Sequence, residues 1–324
     1  MHPKDPPSPI HRANTTMASR SKVELLRSKL NTAKPAVAMA SHNPLAAKLA
    51  DEAGFDAIWV SGFEISASYA VPDASILPMS VNLEITRAMS RVQEAPLVVD
   101  IDTGFGNAIN VAYTVPQFEA AGAAAIVIED KTFPKDSSLR SDGRQLLVTV
   151  EEFQGKIAAA KAVSSVLIIA RTEALIAGLG EEEALRRGVA YAEAGADAIL
   201  IHSKQKTPDE IVSFCRAWPG PVPLVIVPTS YPQLSFKEVG ALNKVGLIIC
   251  GNHSVRAAVA SMKSTFGRIL KEGGIAGVEK DIATVSSVFE LQGDAYMRAL
   301  EKAYLRSGPM QSAEEEANRH LQHH

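Results

Sequence analysis

"FEAAGAAAIVIED", residues 118–130, runs from a helical pattern through Gly122 straight into an apolar, β-branched stretch. Glycine suits a helix end because the left-handed backbone carries no Cβ penalty there. The stretch after it is apolar through most of its length, as in a parallel strand buried on both faces. The same junction recurs in "DEAGFDAIWV" (51–60) at Gly54 and in "AEAGADAILIH" (192–202) at Gly195. A helix that ends on glycine and feeds a buried strand, repeated, predicts alternating β and α units.

Working outward, strand candidates are "AVAMAS" (36–41), "AIWVSG" (57–62), "LVVDID" (97–102) and "AAIVIED" (124–130). They continue as "LIIART" (167–172), "AILIHS" (198–203), "PLVIVP" (223–228) and "LIICGN" (247–252). Between them, Thr149 with Glu152 reads as a capping box, and Thr207 before Pro208 as an N-cap with proline at the first helical position. Eight such units predict an α/β fold, a (β/α)8 TIM-type barrel. An open doubly wound sheet would carry a glycine-rich phosphate turn after its first strand, and "SHNPLAAK" is not one.

The 324-residue chain has room for one large α/β domain, and its net charge of -3 offers no broad attraction to nucleic acid or anionic lipid. No apolar run reaches the roughly 20 residues of a membrane span. Cys215 and Cys250 stand far apart in no metal-type spacing, which points to a reducing, cytoplasmic compartment. Residues 1–21 read as a disordered polar extension, 22–308 as the barrel with C-terminal helices, and 309–324 as a polar tail.

In barrels of this kind chemistry sits at the C-terminal strand ends. Here those ends offer Ser41, Ser61–Gly62, Asp100 and Asp102, Glu129–Asp130, Arg171, His202, Thr229 and Asn252–His253. On a strand, Asp100 and Asp102 share one face, and two carboxylates side by side repel unless a cation or proton intervenes. Asp73 and Glu129 add two more oxygen donors. The four are either a solvated acidic rim or a site for a hard cation, most simply Mg²⁺. Arg171 is either a partner for Glu173 or, with His202, a receptor for a phosphoryl or carboxylate group.

"WVSGFEISASYAVPD", "DIDTGFGN", "EDKTFPK", "ARTEALIAG", "GADAILIHSK" and "GNHSVRA" together resemble the phosphoenolpyruvate mutase/isocitrate lyase superfamily, over about 22–305. The resemblance implies Mg²⁺ (with Mn²⁺ or Co²⁺ as substitutes) beside Asp100, with Asp73, Asp102 and Glu129 acting directly or through water. It implies Trp59, Ser61 and Gly62 at the pyruvyl part of the substrate, Arg171 and His202 at the phosphoryl group, and 130–144 as a gating loop. Lys135 would close that loop over the phosphoryl end. The lyases carry a "KKCGH"-type motif; this chain has "KTFPKDSSL" and no cysteine there. Mutases resemble "FPKTNSL", with asparagine where Ser137 stands, and the superfamily's hydrolase branch resembles "FPKDTSL", with threonine.

The expected reaction is therefore hydrolysis of phosphonopyruvate to pyruvate and phosphate, through an enolate that Mg²⁺ and the Ser61–Gly62 backbone donors stabilise. Ser137 either takes the phosphoryl group or orients a water. The rivals are a phosphonomutase and a non-catalytic keto-acid-binding barrel. The resemblance also implies a C-terminal helical region swapped between subunits, hence a homodimer or homotetramer. "VSSVFELQGDAYMRALEKAYL" (285–305) has the apolar helical spacing for such a contact.

Overall fold

The structure, a computed structural model, describes residues 21–30, 33–140 and 142–305. The polar segments expected at 1–21 and 309–324 lie outside the described residues, apart from Ser21. That serine begins structure: Ser21 Oγ accepts from Glu24 N at 3.2 Å while Ser21 N donates to Glu24 Oε2 at 3.0 Å. The exchange starts the helix Lys22–Leu30.

Eight parallel strands close into a barrel in sequence order. They are β1 (Ala36–Ser41), β2 (Ala57–Val60), β3 (Leu97–Asp100), β4 (Ala123–Glu129), β5 (Leu167–Thr172), β6 (Ala198–Ile201), β7 (Leu224–Ile226) and β8 (Val245–Cys250). β8 closes on β1 with Ala36 opposite Leu247. The strand stretches read from sequence mostly run one or two residues past the observed ends, because they took in the mostly polar residues that follow each strand, where pairing has stopped.

Side chains alternate across each strand, and the two faces build two cores. The inner face fills the barrel lumen with Ala38, Ala40, Trp59, Val98, Val127, Ile169, Leu200, Val225 and Ile249. The outer face, with Ile58, Val99, Ile126, Ile168, Ile199 and Ile248, packs against the surrounding helices. Alanines on β1 leave lumen space that Trp59 occupies from β2. The glycine junctions are as expected, with φ of 86° at Gly54, 101° at Gly122 and 104° at Gly195.

Two helix starts differ in detail. Thr149 caps the helix Val150–Val163 by accepting from Glu152 N at 3.2 Å, while the Glu152 carboxylate lies 4.0 Å from Lys156 instead of turning back to the cap. The helix after β6 begins at Asp209, not Pro208; Thr207 Oγ1 donates to Asp209 Oδ2 at 2.8 Å.

The chain divides into two compact units, with a boundary after Met262. The barrel unit spans Ser19–Met262. Among the described residues, the other begins at Lys263 and holds the helices Val285–Gln292 and Asp294–Tyr304. The helical spacing of 285–305 is realised as these two helices, divided at Gly293, which takes the left-handed conformation with φ 77°.

Candidate active site

Strand alternation decides what enters the mouth of the barrel. On β4, Ala125 and Val127 point inward and so does Glu129; on β5, Leu167, Ile169 and then Arg171 follow the same face. Ala198 and Leu200 lead to His202, and Val98 leads to Asp100. These residues meet around a cavity of about 60 Å³ lined by Trp59, Ser61, Asp73, Asp100, Lys135, Ser137, Arg171 and His202. Gly62, Asp102 and Glu129 stand just behind that lining. Ser138, Leu139 and Phe63 line it too, as do Thr229 and Asn252, read from sequence only as strand ends.

Asp100 and Asp102 do come together, but not by strand pleat. β3 ends at Asp100, and Asp102 sits in a turn with φ 54°, its N–H donating to Asp100 Oδ1 at 3.0 Å. Gly62 makes room for the pair: a Cβ there would lie 3.2 Å from Asp102 Oδ1 and 3.3 Å from Asp100 Oδ2. Burial pushes Asp100 upward against the pull of Lys135 and Arg171, and pushes Asp102 up to about 7. Glu129 Oε1 is buried with no hydrogen-bond partner. Buried carboxylates set this close repel one another, and the donor set is all oxygen, which fits a hard divalent cation.

Among the described residues, no three Asp, Glu, His or Cys side chains are already gathered around one metal position. Mg²⁺ would need only one or two of these carboxylates directly, with waters completing its shell. The cation that does stand among the acids is Lys135. Its Nζ lies 2.6 Å from Asp102 Oδ1 and 3.0 Å from Asp73 Oδ1. Burial works against its charge, yet Asp102 and Asp73 outweigh burial and raise it well above the usual lysine range. Lys135 therefore faces the acidic side of the mouth here, where the resemblance had placed it at the phosphoryl end.

Arg171 and His202 form the opposite side. Arg171 Nε donates to Glu173 Oε1 at 2.5 Å and lies 3.5 Å from Glu129 Oε2, so the arginine does pair with Glu173, as one of its two sequence readings expected. Burial alone would lower its guanidinium; Glu173 and Glu129 raise it instead. His202 Nδ1 lies 3.2 Å from Arg171 Nη2, closer than its 3.6 Å to Glu173 Oε1. An arginine can only donate, so this contact makes Nδ1 an acceptor and puts the imidazole proton on Nε2. Nε2 is buried and unpartnered, a donor facing no protein acceptor. Burial lowers the His202 pKa, with Glu173 opposing, and so favours the neutral ring.

The Ser61 hydroxyl accepts from Glu64 N at 3.2 Å as the N-cap of the helix Gly62–Ser68, and Ser61 N donates to Ser41 O at 3.4 Å. The backbone donors left for a ligand are thus those of Gly62 and Phe63, in the first helical turn where no intrahelical acceptor exists. This shifts the expected Ser61–Gly62 pair by one residue.

Asp130 does not face the mouth. It points into the helix layer, where it accepts from Glu173 N (2.9 Å), Thr172 Oγ1 (3.2 Å), Tyr191 Oη (2.8 Å) and Arg187 Nη1 (3.1 Å). Sequence reading missed Arg187 and Tyr191, on the helix Gly180–Glu193, since nothing local marks a helix residue as the partner of a strand end.

An all-parallel barrel whose mouth sets acids against an arginine and a neutral histidine is an enzyme architecture for a small anionic substrate that needs a divalent cation. A family model for phosphoenolpyruvate phosphomutase matches residues 26–270. The chain belongs to that family. It is 61% identical to phosphonopyruvate hydrolase of Variovorax sp. (strain Pal2), over 88% of this chain and 100% of that protein. It is 40% identical to phosphoenolpyruvate phosphomutase of Tetrahymena pyriformis, over 89% of this chain and 97% of that one. A solved structure of phosphonopyruvate hydrolase in complex with oxalate and Mg²⁺ superposes with a TM-score of 0.84 at 59% identity, covering 88% of this chain and 100% of that chain.

Proposed function

We propose that this chain hydrolyses the carbon–phosphorus bond of phosphonopyruvate, releasing pyruvate and phosphate. The observation that carries the reading is Ser137, a hydroxyl on the loop that closes a cavity shared with Asp100, Arg171 and His202. The greater likeness to the hydrolase than to the phosphomutase supports hydrolysis over rearrangement.

Asp100, Asp73, Asp102 and Glu129 would hold Mg²⁺, directly or through waters, and the ion would supply positive charge for the keto-acid oxygens. The N–H groups of Gly62 and Phe63 donate to the pyruvyl end, where negative charge grows as the P–C electron pair moves onto carbon. Arg171 and the Nε2–H of His202 hold the phosphoryl oxygens. The P–C bond breaks as phosphorus bonds to an oxygen, of water or of Ser137 (whose phosphoserine water then hydrolyses to phosphate), and the proton that this O–H loses is balanced by the one taken up at the enolate carbon to give pyruvate. Ser137 is set for either role. Its N–H donates to Asp136 Oδ1 at 2.9 Å and its carbonyl accepts from Gln145 Nε2 at 3.1 Å, while its hydroxyl has no protein partner among the described residues. Phosphate release from phosphonopyruvate with Mg²⁺, abolished by EDTA, tests the proposal; phosphoenolpyruvate as sole product would reverse it in favour of the mutase.

The protein acts as a homodimer or homotetramer in the cytoplasm, without nucleic-acid or membrane partners. On the helix His253–Glu272, Val259, Met262, Phe266 and Leu270 form an exposed apolar stripe, and an apolar groove of about 670 Å³ runs between Leu45, Leu49, Phe55, Ala258 and Met262. Apolar surface of this extent supports self-association. No described helix is long and apolar enough to cross a membrane, and both cysteines are free thiols. Sedimentation at micromolar concentration tests the oligomer; a stable monomer contradicts it.

A further inference from the structure

Glu173 is fully buried and uses its two oxygens on two different elements. Oε1 holds Arg171 Nε at 2.5 Å, on β5. Oε2 accepts from Ser138 Oγ at 2.5 Å and lies 3.2 Å from Lys131 Nζ, both from the segment that closes over the cavity. Ser138 Oγ in turn accepts from Lys131 Nζ at 2.6 Å and from Arg171 Nη2 at 3.0 Å. Lys131 Nζ also donates to Asp136 O at 2.8 Å, tying the same loop from inside.

Two adjacent serines are thereby divided in role. The Ser138 oxygen is occupied by two cationic donors, and its proton rests on a carboxylate that Arg171 and Lys131 hold well below the usual range despite burial. Such a carboxylate is a weak base, so Ser138 is held in place and not activated. Ser137, one residue away, has no such partners.

We propose that Glu173 and Ser138 are positioning residues: docking Ser138 on the second oxygen of Glu173 seats the loop and fixes the Arg171 guanidinium in one event. This rests on the hydrolase reading above. When the loop leaves, Glu173 Oε2 and Arg171 Nη2 both lose a partner, and the arginine is free to turn from its phosphoryl-binding orientation. The seated loop and the ordered arginine are then one state.

The test compares the parent, Ser138→Ala, Glu173→Gln and the double variant, in Mg²⁺. Ser138→Ala should raise KM for phosphonopyruvate about tenfold, the scale of one lost charge-assisted hydrogen bond. It should lower kcat as well, and leave the inhibition constant of oxalate, which has no phosphoryl group, within about twofold of the parent. Hydrogen exchange of 133–146 should quicken in the same variant. The double variant should be no worse than Glu173→Gln alone, because the two act as a unit. A parental KM in Ser138→Ala, equal weakening of oxalate, or losses that multiply would each overturn the proposal. Should Glu173→Gln fail to fold, Ser138→Ala decides alone. A parent that releases no phosphate would reject the hydrolase reading instead, and loop exchange would still report whether Ser138 holds the loop.

Discussion

Glu129 and Asp130 are consecutive residues on opposite faces of the barrel wall: Glu129 reaches the mouth beside Arg171, 3.5 Å away, and Asp130 reaches Arg187 in the helix layer, 3.1 Å away. One acid belongs to the chemistry and the other to the frame that holds β4 against β5. The pair separates the two functions by a single step of backbone.

Asp130→Ala should therefore cost stability, not metal affinity. Four donors lose their acceptor, and among the described residues Arg187 keeps only Glu183 as a charged partner. Burial pushes the Asp130 carboxyl upward, so part of the gain from those donors offsets desolvation. A loss of about 3 kcal/mol follows from leaving buried donors and a cation underpaired. Urea denaturation measures it, while the Mg²⁺ concentration for half activity should stay at the parental value; a large shift there would place Asp130 in the metal site after all.

Asp100→Ala should nearly abolish turnover, by about 100-fold or more, as expected for a principal metal anchor. The fold should survive, because removing one of two repelling buried acids relieves the strain between them. Far-ultraviolet circular dichroism and phosphate release check the two halves. Full activity of that variant, or of the parent in EDTA, would remove the metal from the reaction.

Ser137→Ala should lose most phosphate release yet still bind oxalate, since Asp100, Arg171 and His202 are untouched. Ser137→Thr should retain activity because the hydroxyl is kept. An alanine variant as fast as the parent would leave the hydrolytic water to be held by other groups.

His202 should stay neutral below the usual histidine range. Its pKa is lowered chiefly by burial, so the folded protein resists protonation that the unfolded chain accepts near pH 6.5. The stability linked to this neutral ring is fully present above about pH 6.5 and is lost as pH falls from there through the lowered folded value. Histidine-selective NMR should show a neutral ring with the proton on Nε2 at pH 6. A His202 resonance that titrates at 6.5 or higher would contradict the burial argument.

Much of the barrel was legible because its signals are local. A helix ending at Gly122 and a strand starting at Ala123 need no knowledge of the rest of the chain, and period-two alternation carries Arg171 and His202 inward once the strand is recognised. Asp100, Asp102, Glu129 and Asp73 were legible as acids at strand and loop ends for the same reason.

Which partner each strand end meets is settled by barrel closure. Sequence alternation put Asp102 on the face of Asp100, but the strand stops first, and a left-handed turn beside Gly62 brings the two together. It could not show that Lys135 would sit between Asp73 and Asp102, nor that Ser138 and not Ser137 would be bound by Glu173, thirty-five residues away. The physical reason is range. Propensity and alternation act over one or two turns of chain, whereas the charges that set this site meet only when barrel closure brings distant strand ends and one loop into the same few ångströms of low-dielectric space.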